Sequence, residues 1–568
     1  MANTKDTSQA PYGYDKESEK VEANVTYPYA ADAQEEIVPQ EEETHRALSP
    51  RQLSMIALGG AIGTGLVIGS GTSLARNGPA TLFISYVIMG IVCSGVMMAL
   101  GEMSTKYPSK KGFAGHATRC VDPAFGFATA LIYLCKALAC ANDLQYLILS
   151  PNQIVAGALV IRYWNDSING AVWVTILIVF VVAINCLGVG WFGEVEFWLS
   201  FIKIITLTGL ILLALIIDLG GVPGQERIGF RHWKDGKAFK PYKREGDLGK
   251  FLGFVNAVVL ALFAYTGTEL IGVTVGEAKN PRKTVPSAIK KTFFRIIFFY
   301  ILSTLLVGMV VDSSSPLLAQ AAKKGTSGGA SASPFVVAIN TAGIKGLPAL
   351  INACILIFTM SAANSDQYIA SRTLYGMAKD GNAPRIFTKC TKRGVPWVAF
   401  IFTGMFMGLA YLVASSNALE VFNYFVNSVT IFGGLTWVSI LASHIAFMRG
   451  MKAQGVSRDT LPYKSPLQPY LTYFSLFFSC LVCFFKGFDS FMPWSYKSFI
   501  TNYIGIPIYV IGYFGYKFVY KSKHVKMHEM DLTTGAREFH DIDEEDEEEM
   551  RYKNFTFKEK VIYQIKNW

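Results

Sequence analysis

Twelve apolar runs constrain this chain more than any other feature. They lie at about 53–75, 80–100, 125–161, 171–191, 197–219, 251–275, 293–311, 335–363, 397–414, 421–447, 470–485 and 503–520. A helix needs about 20 predominantly apolar residues to cross roughly 30 Å of hydrocarbon, and most of these runs meet or approach that length. A water-soluble fold would have to bury all of them around one core. The pattern therefore predicts an all-α polytopic membrane protein with twelve transmembrane helices.

Charge supports the same reading. Only 17% of the 568 residues are charged, against 51% hydrophobic, where soluble domains carry about a quarter charged residues. The net charge of +10 invites nucleic acid as a partner, but the basic residues sit mainly in short connections between apolar runs, as on the cytoplasmic side of a membrane protein. No nucleic-acid partner is expected, and membrane lipid is. With a cytoplasmic N-terminus, the inside loops near 103–123, 276–292, 372–396 and 448–469 carry 4, 5, 6 and 4 Lys plus Arg. The outside loop 220–250 is the exception, with eight basic residues mixed with Asp and Glu. Twelve spans place both termini in the cytoplasm. The first 50 residues lack an apolar core, so the first run is expected to act as the insertion signal.

The third run is anomalous. Ala124 to Tyr163 is 40 residues without a clear loop, about 60 Å as one helix, and it contains Lys136, Asn142, Asp143 and Gln145. Either one helix begins deep in the cytoplasmic approach, or Asn142 and Asp143 break it in two. Asn165-Asp-Ser167 is a glycosylation sequon that faces outward in this orientation. Among the nine cysteines, Cys480-Leu-Val-Cys483 has redox or zinc spacing, but no second pair or nearby His completes a site. No metal site or enzymatic activity is expected. No Gly-Lys-Ser/Thr phosphate loop appears, so hydrolysis-driven pumping has no support.

Two runs carry signs of interruption. The first reads Gly59-Gly-Ala-Ile-Gly-Thr-Gly-Leu-Val-Ile-Gly-Ser-Gly71. Its glycines suit close helix packing. Gly63-Thr64-Gly65 also gives freedom at mid-depth for an unwound turn, whose N–H groups and half-helix dipole would face an anionic solute group. The sixth contains Phe263-Ala-Tyr-Thr-Gly-Thr-Glu-Leu270. Gly267 opens a turn there, and Glu269 stands inside the run either as a structural hydrogen-bonding group or as a carboxyl whose protonation is coupled to conformation. Positions one and six are those expected if spans one to five and six to ten form inverted halves. Lys203 either snorkels to the interface or points into the bundle. There its ammonium would replace a bound sodium ion or exchange the driving proton. Ser361, Asn364, Ser365, Asp366, Asn423 and Asn427 lie along expected cavity walls, with an Asp366–Arg372 gate pair as one alternative.

These segments, with Gly101-Glu-Met103, Phe192-Gly-Glu-Val-Glu-Phe-Trp198, Glu277-Ala-Lys-Asn-Pro-Arg-Lys283 and Asn364 to Arg372, resemble the fungal amino acid permeases of the amino acid–polyamine–organocation superfamily over roughly residues 45–525. Arg227 to Trp233, Ser331 to Ile339 and Phe422 to Asn427 are most similar to the dicarboxylic members. The resemblance implies a five-plus-five inverted-repeat core with discontinuous helices one and six, followed by two more helices. It implies plasma-membrane uptake of glutamate and aspartate with a co-transported proton and no other cofactor. The substrate carboxylate would be held at Gly63, Thr64 and Gly65, with Phe263, Thr266 and Gly267 at the sixth span. Glu269 would act in gating and coupling, and Lys203 in place of sodium. The residue that reads the second carboxylate is left open. Relative to the family, about nine extra residues, 137–145, follow Lys136 and imply a bulge, a hinge or a defect. A neutral or broad-range amino acid permease and a non-transporting nutrient receptor are the alternatives.

The expected organisation is a cytoplasmic tail at 1–52, a transport core at 53–447, a loop with helices eleven and twelve at 448–520, and an acidic cytoplasmic tail at 521–568. The run Asp541 to Glu549 reads as solvated. The resemblance adds a ubiquitin-ligase adaptor as a partner at Lys5, Lys16 and Lys20.

Overall fold

The structure, a computed structural model, describes residues 62–107, 112–134, 146–269, 281–318, 333–414 and 418–534 apart from 166, 380, 382 and 392, together with Gln52, Met55, Gly59 and Gly272. Residues 135–145, the acidic run, and Lys5, Lys16 and Lys20 lie outside that set. Among the described residues the chain is helical, with no strand longer than a single bridge between Phe491 and Trp494.

Each of the twelve apolar runs contains helix among its described residues. In the first span a π-helical turn, Gly65–Gly69, leads into α1 (Ser70–Asn77). The second span is α2 (Pro79–Lys106), and a short helix α3 (Gly112–Cys120) follows it. The third span consists of α4 (Pro123–Leu134) and α5 (Tyr146–Ile161), the fourth is α6 (Gly170–Cys186) and the fifth is α7 (Val189–Asp218). The sixth contains α8 (Gly246–Tyr265). The seventh joins α9 (Pro281–Arg295) to α10 (Ser303–Val310) through a π-helical stretch, Ile296–Leu302. After α11 (Pro334–Thr341) come α12 (Leu347–Lys379) as the eighth, and α13 (Trp397–Met405), extended by a 3₁₀ segment, as the ninth. The bundle ends with α14 (Ala418–Ala453), α15 (Tyr470–Phe485), a short α16 (Tyr496–Tyr503) and α17 (Gly505–Tyr520).

The span boundaries differ from the sequence reading in an informative way. The run at 335–363 is two helices, separated by a turn with Gly343 at φ +70 and Gly346 at φ +81. The second helix runs on to Lys379 because Ser361, Asn364, Ser365 and Asp366 are buried inside it. Polar residues that face protein lower hydropathy without ending a helix, so hydropathy truncates the spans that line an interior. The fifth span likewise starts at Val189, ahead of its run, and carries the fully buried Glu196. Large apolar side chains such as Phe518, Met405 and Phe484 are 87%, 73% and 70% exposed. A band of that kind on a bundle belongs in lipid.

Gly78, at φ +87, makes the sharp turn between α1 and α2, where a Cβ would come within 2.7 Å of the Ala238 carbonyl oxygen. The basic segment 219–245 therefore packs at the Gly78 end of α2. At the other end Glu102, fully buried, gathers the His444 imidazole at 2.8 Å, the Ser465 N–H and hydroxyl at 2.8 Å each, and Arg458. This cluster ties the second span to the connection between the tenth and eleventh.

The C-terminal tail does not leave the bundle at 521. The Val525 N–H donates to the Val121 carbonyl at 2.9 Å, the Tyr107 hydroxyl to the Leu532 carbonyl at 2.8 Å, and the Gln454 amide to the Met530 carbonyl at 2.7 Å. Met530 and Leu532 are buried, which stabilises the docked segment by roughly 3 kcal/mol. Asp122 accepts from Lys517 at 2.7 Å and from Ser522 at 2.8 Å. Burial raises its carboxyl, but Lys517, the Ala124 N–H and Ser522 outweigh that and hold it below its ordinary value. A depressed carboxyl contributes stability above its unfolded pKa of about 4 and loses it as pH falls through the folded value. Limited proteolysis should therefore spare residues 521–534 at pH 7 and cut them below about pH 4. Truncation after Thr534 should leave the melting temperature in detergent unchanged, whereas truncation after Tyr520 should lower it. Equal melting of the two would refute the docking.

Candidate functional site

The two interrupted spans meet. In the first, Ile62 and Gly63 precede the helix, and Thr64 enters it at φ −60. The first N–H groups of a helix have no acceptor within it, and here they open at Gly63, Thr64 and Gly65. In the sixth, α8 stops at Tyr265, Thr266 is extended with ψ 138, and Gly267 takes φ +100. A side chain at Gly65 would stand 2.6 Å from Ala264 Cα and 3.2 Å from the Phe263 carbonyl oxygen. Glycine is what lets the two backbones touch.

A small cavity lies at this contact. All six residues expected at a substrate site line it: Gly63, Thr64, Gly65, Phe263, Thr266 and Gly267. The sequence reading missed the far wall, formed by Leu149 and Gln153 of α5, Ala362 and Asp366 of α12, and Val429 of α14. The sequence marks Asp366 only as a cavity-wall or gate residue. Gln153 was legible only as one polar residue in the anomalous third run.

Glu269 is fully buried. One of its oxygens accepts from the Gly267 N–H at 3.0 Å and from Trp437 Nε1 of α14 at 3.1 Å. The other has no hydrogen-bond partner among the described residues. The carboxylate thus closes the broken turn on itself and fixes it to the tenth span.

Lys203 points into the bundle and is fully buried, so it does not snorkel. Its Nζ donates to the Gly59 carbonyl at 3.0 Å and lies 3.8 Å from Glu196. Glu196 accepts from Ser361 at 2.5 Å and from Ser200 at 3.4 Å, and its second oxygen has no hydrogen-bond partner among the described residues. Asn364 and Ser365 face the same carboxylate, while Asp366 and Arg295 are the other charges within electrostatic reach of Lys203. The ion pair therefore links the first span to the fifth and eighth, beside the cavity. Glu196 was visible in the sequence only as part of Phe192 to Trp198.

Other residues fall elsewhere. Asn423 is exposed and Asn427 half-buried, and neither lines the cavity. The Arg372 guanidinium lies over the Tyr368 ring at 4.5 Å, and Asn364 accepts from Asn185 at 2.8 Å. Asn165 sits in the turn after α5, where its side chain accepts from the Ser167 hydroxyl at 2.7 Å.

Comparison with known proteins places this geometry. The chain is 47% identical over 526 residues to the dicarboxylic amino acid permease of Saccharomyces cerevisiae, covering 92% of this chain and 84% of that protein. It is 38% identical over 523 residues to the lysine-specific permease of the same yeast, covering 90% and 83%. Among solved structures, MhsT in complex with L-phenylalanine matches with a TM-score of 0.50 at 15% identity, covering 81% of this chain and 99% of that one. This last likeness concerns the fold, and it accords with twelve spans built on a five-plus-five core with discontinuous helices one and six. The amino acid permease family profile matches residues 52–529. The chain, a multi-pass membrane protein, belongs to the amino acid permease family.

Proposed function

We propose that this protein takes up the acidic amino acids L-glutamate and L-aspartate across the plasma membrane together with protons, with both termini cytoplasmic. The observation that carries this reading is the cavity at the contact of the two broken helices, where a helix N-terminus opens at Gly63, Thr64 and Gly65. The N–H groups of a helix's first turn and the positive end of its dipole favour a carboxylate there. The acidic substrate class draws its support from the 47% identity to a dicarboxylic permease, and proton coupling from three buried ionisable groups, Lys203, Glu196 and Glu269, next to the site. No cofactor besides the proton is needed, and a ubiquitin-ligase adaptor is proposed at the tails.

Radiolabelled glutamate uptake, measured across pH in cells lacking their own permeases, tests the proposal. Uptake should rise as external pH falls, collapse with a proton uncoupler, and be inhibited by aspartate more than by leucine or lysine. Insensitivity to uncoupler together with no competition by aspartate would sink it.

Glu269→Gln separates two roles. Glutamine keeps an oxygen for both N–H donors and removes the titrating group. Binding should stay within about threefold of the parent while proton-driven accumulation falls at least tenfold. Equal accumulation at matched surface abundance would leave Glu269 a purely structural role.

A further inference from the structure

We propose that Gln153 is the specificity-determining residue for the second carboxylate of an acidic substrate, which it receives through its side-chain amide N–H groups. This deepens the acidic amino acid reading above and rests on it.

Among the described residues lining the cavity, the only ionisable side chain is the carboxyl of Asp366, and no Lys, Arg or His is present. A substrate with two carboxylates thus meets no side-chain cation there. One carboxylate is provided for at the N-terminus of the first-span helix. The other needs neutral donors, because a buried charge without hydrogen bonds is strongly unfavourable.

The polar side chains of the lining are Thr64, Gln153, Thr266 and Asp366. The Thr266 hydroxyl is committed, donating to the Leu262 carbonyl at 2.9 Å. The Thr64 hydroxyl is committed as well, donating to Gln153 Oε1 at 3.2 Å. That bond fixes the orientation of the amide, with Oε1 occupied and Nε2 turned to the cavity. Nε2 has no acceptor among the described residues, and Gln153 is only 6% exposed. It is a donor with its capacity unspent, and a carboxylate oxygen accepts from such a group.

A glycine rather than a bulky residue adjoins Nε2: a Cβ at Gly63 would stand 3.7 Å from it, an ordinary contact. Asp366 lies one turn beyond Ala362 on the same face of α12. Its negative charge repels a substrate carboxylate and attracts an ammonium. The side-chain carboxylate is therefore directed to the Gln153 corner.

Hydrogen bonds to a charged group are the strong class, and an acceptor-only residue in place of the amide would oppose a carboxylate outright. Glutamate, glutamine and leucine are therefore compared as ligands of purified parent, Q153L, Q153E and T64V by thermal shift, and as substrates by uptake at matched surface abundance. For glutamate, Q153L should raise KM about tenfold to a hundredfold with Vmax within about twofold. Leucine should stay within about threefold. Q153E should bind glutamate more weakly than Q153L does, while keeping glutamine, whose amide can donate to the new carboxylate. T64V should lose part of the glutamate preference by releasing the amide to rotate. If the parent binds glutamate and the Gln153 variants weaken all three ligands equally, or none, the inference is overturned and the acidic reading stands. If the parent neither binds nor transports glutamate, both are overturned.

Discussion

Gly65→Ala is expected to reduce uptake at least a hundredfold at unchanged surface abundance, while Gly69→Ala leaves it close to the parent. The two glycines lie four residues apart in one π-helical turn. At Gly65 the added carbon would stand 2.6 Å from Ala264 Cα and 3.1 Å from Ala264 N. Both are backbone atoms, well inside the roughly 3.5–4.0 Å at which carbons pack. No rotamer change relieves that overlap, so the first and sixth spans must separate by about 1 Å, enough elsewhere to cost a hundredfold in rate. At Gly69 the nearest atom would be Phe263 Cδ1 at 4.0 Å, an ordinary contact. Uptake and binding by both variants check the contrast. Equal behaviour would mean that the glycines serve general flexibility rather than one backbone contact.

The second large effect concerns Lys203 and Glu196. Each is fully buried, and they lie 3.8 Å apart. Removing one partner of a buried pair leaves an uncompensated charge and typically costs 3–5 kcal/mol. Lys203→Met and Glu196→Gln are thus each expected to lower the melting temperature and surface abundance strongly. Replacing both removes the unpaired charge, so the double variant should recover folding to near the parental level. Its proton-driven accumulation should remain at least tenfold down, because neither titratable group is left between the Gly59 carbonyl of the first span and Ser361 of the eighth. The double-mutant cycle is the measurement. Additive losses of stability would refute the pairing, and restored accumulation would take the pair out of coupling.

The sequence alone was enough to establish a bundle of membrane-spanning helices and to locate the two interruptions. Both follow from local requirements that the bilayer imposes on any chain: enough apolar length to cross, and backbone groups satisfied within the segment. The broken spans were legible for the same reason, since Gly63-Thr64-Gly65 and Gly267 stand out against apolar helix. Which glycine is indispensable was not legible, because Gly65 and Gly69 differ only in what α8 brings next to them. Tertiary structure alone decided that Lys203 points inward to Glu196 and Gly59, 144 residues away in sequence from the latter, that Thr64 orients Gln153 across 89 residues, and that the tail returns to Tyr107 across 425. Those contacts depend on how helices pack face to face, and hydropathy carries no information about the face on which a buried polar side chain finds its partner.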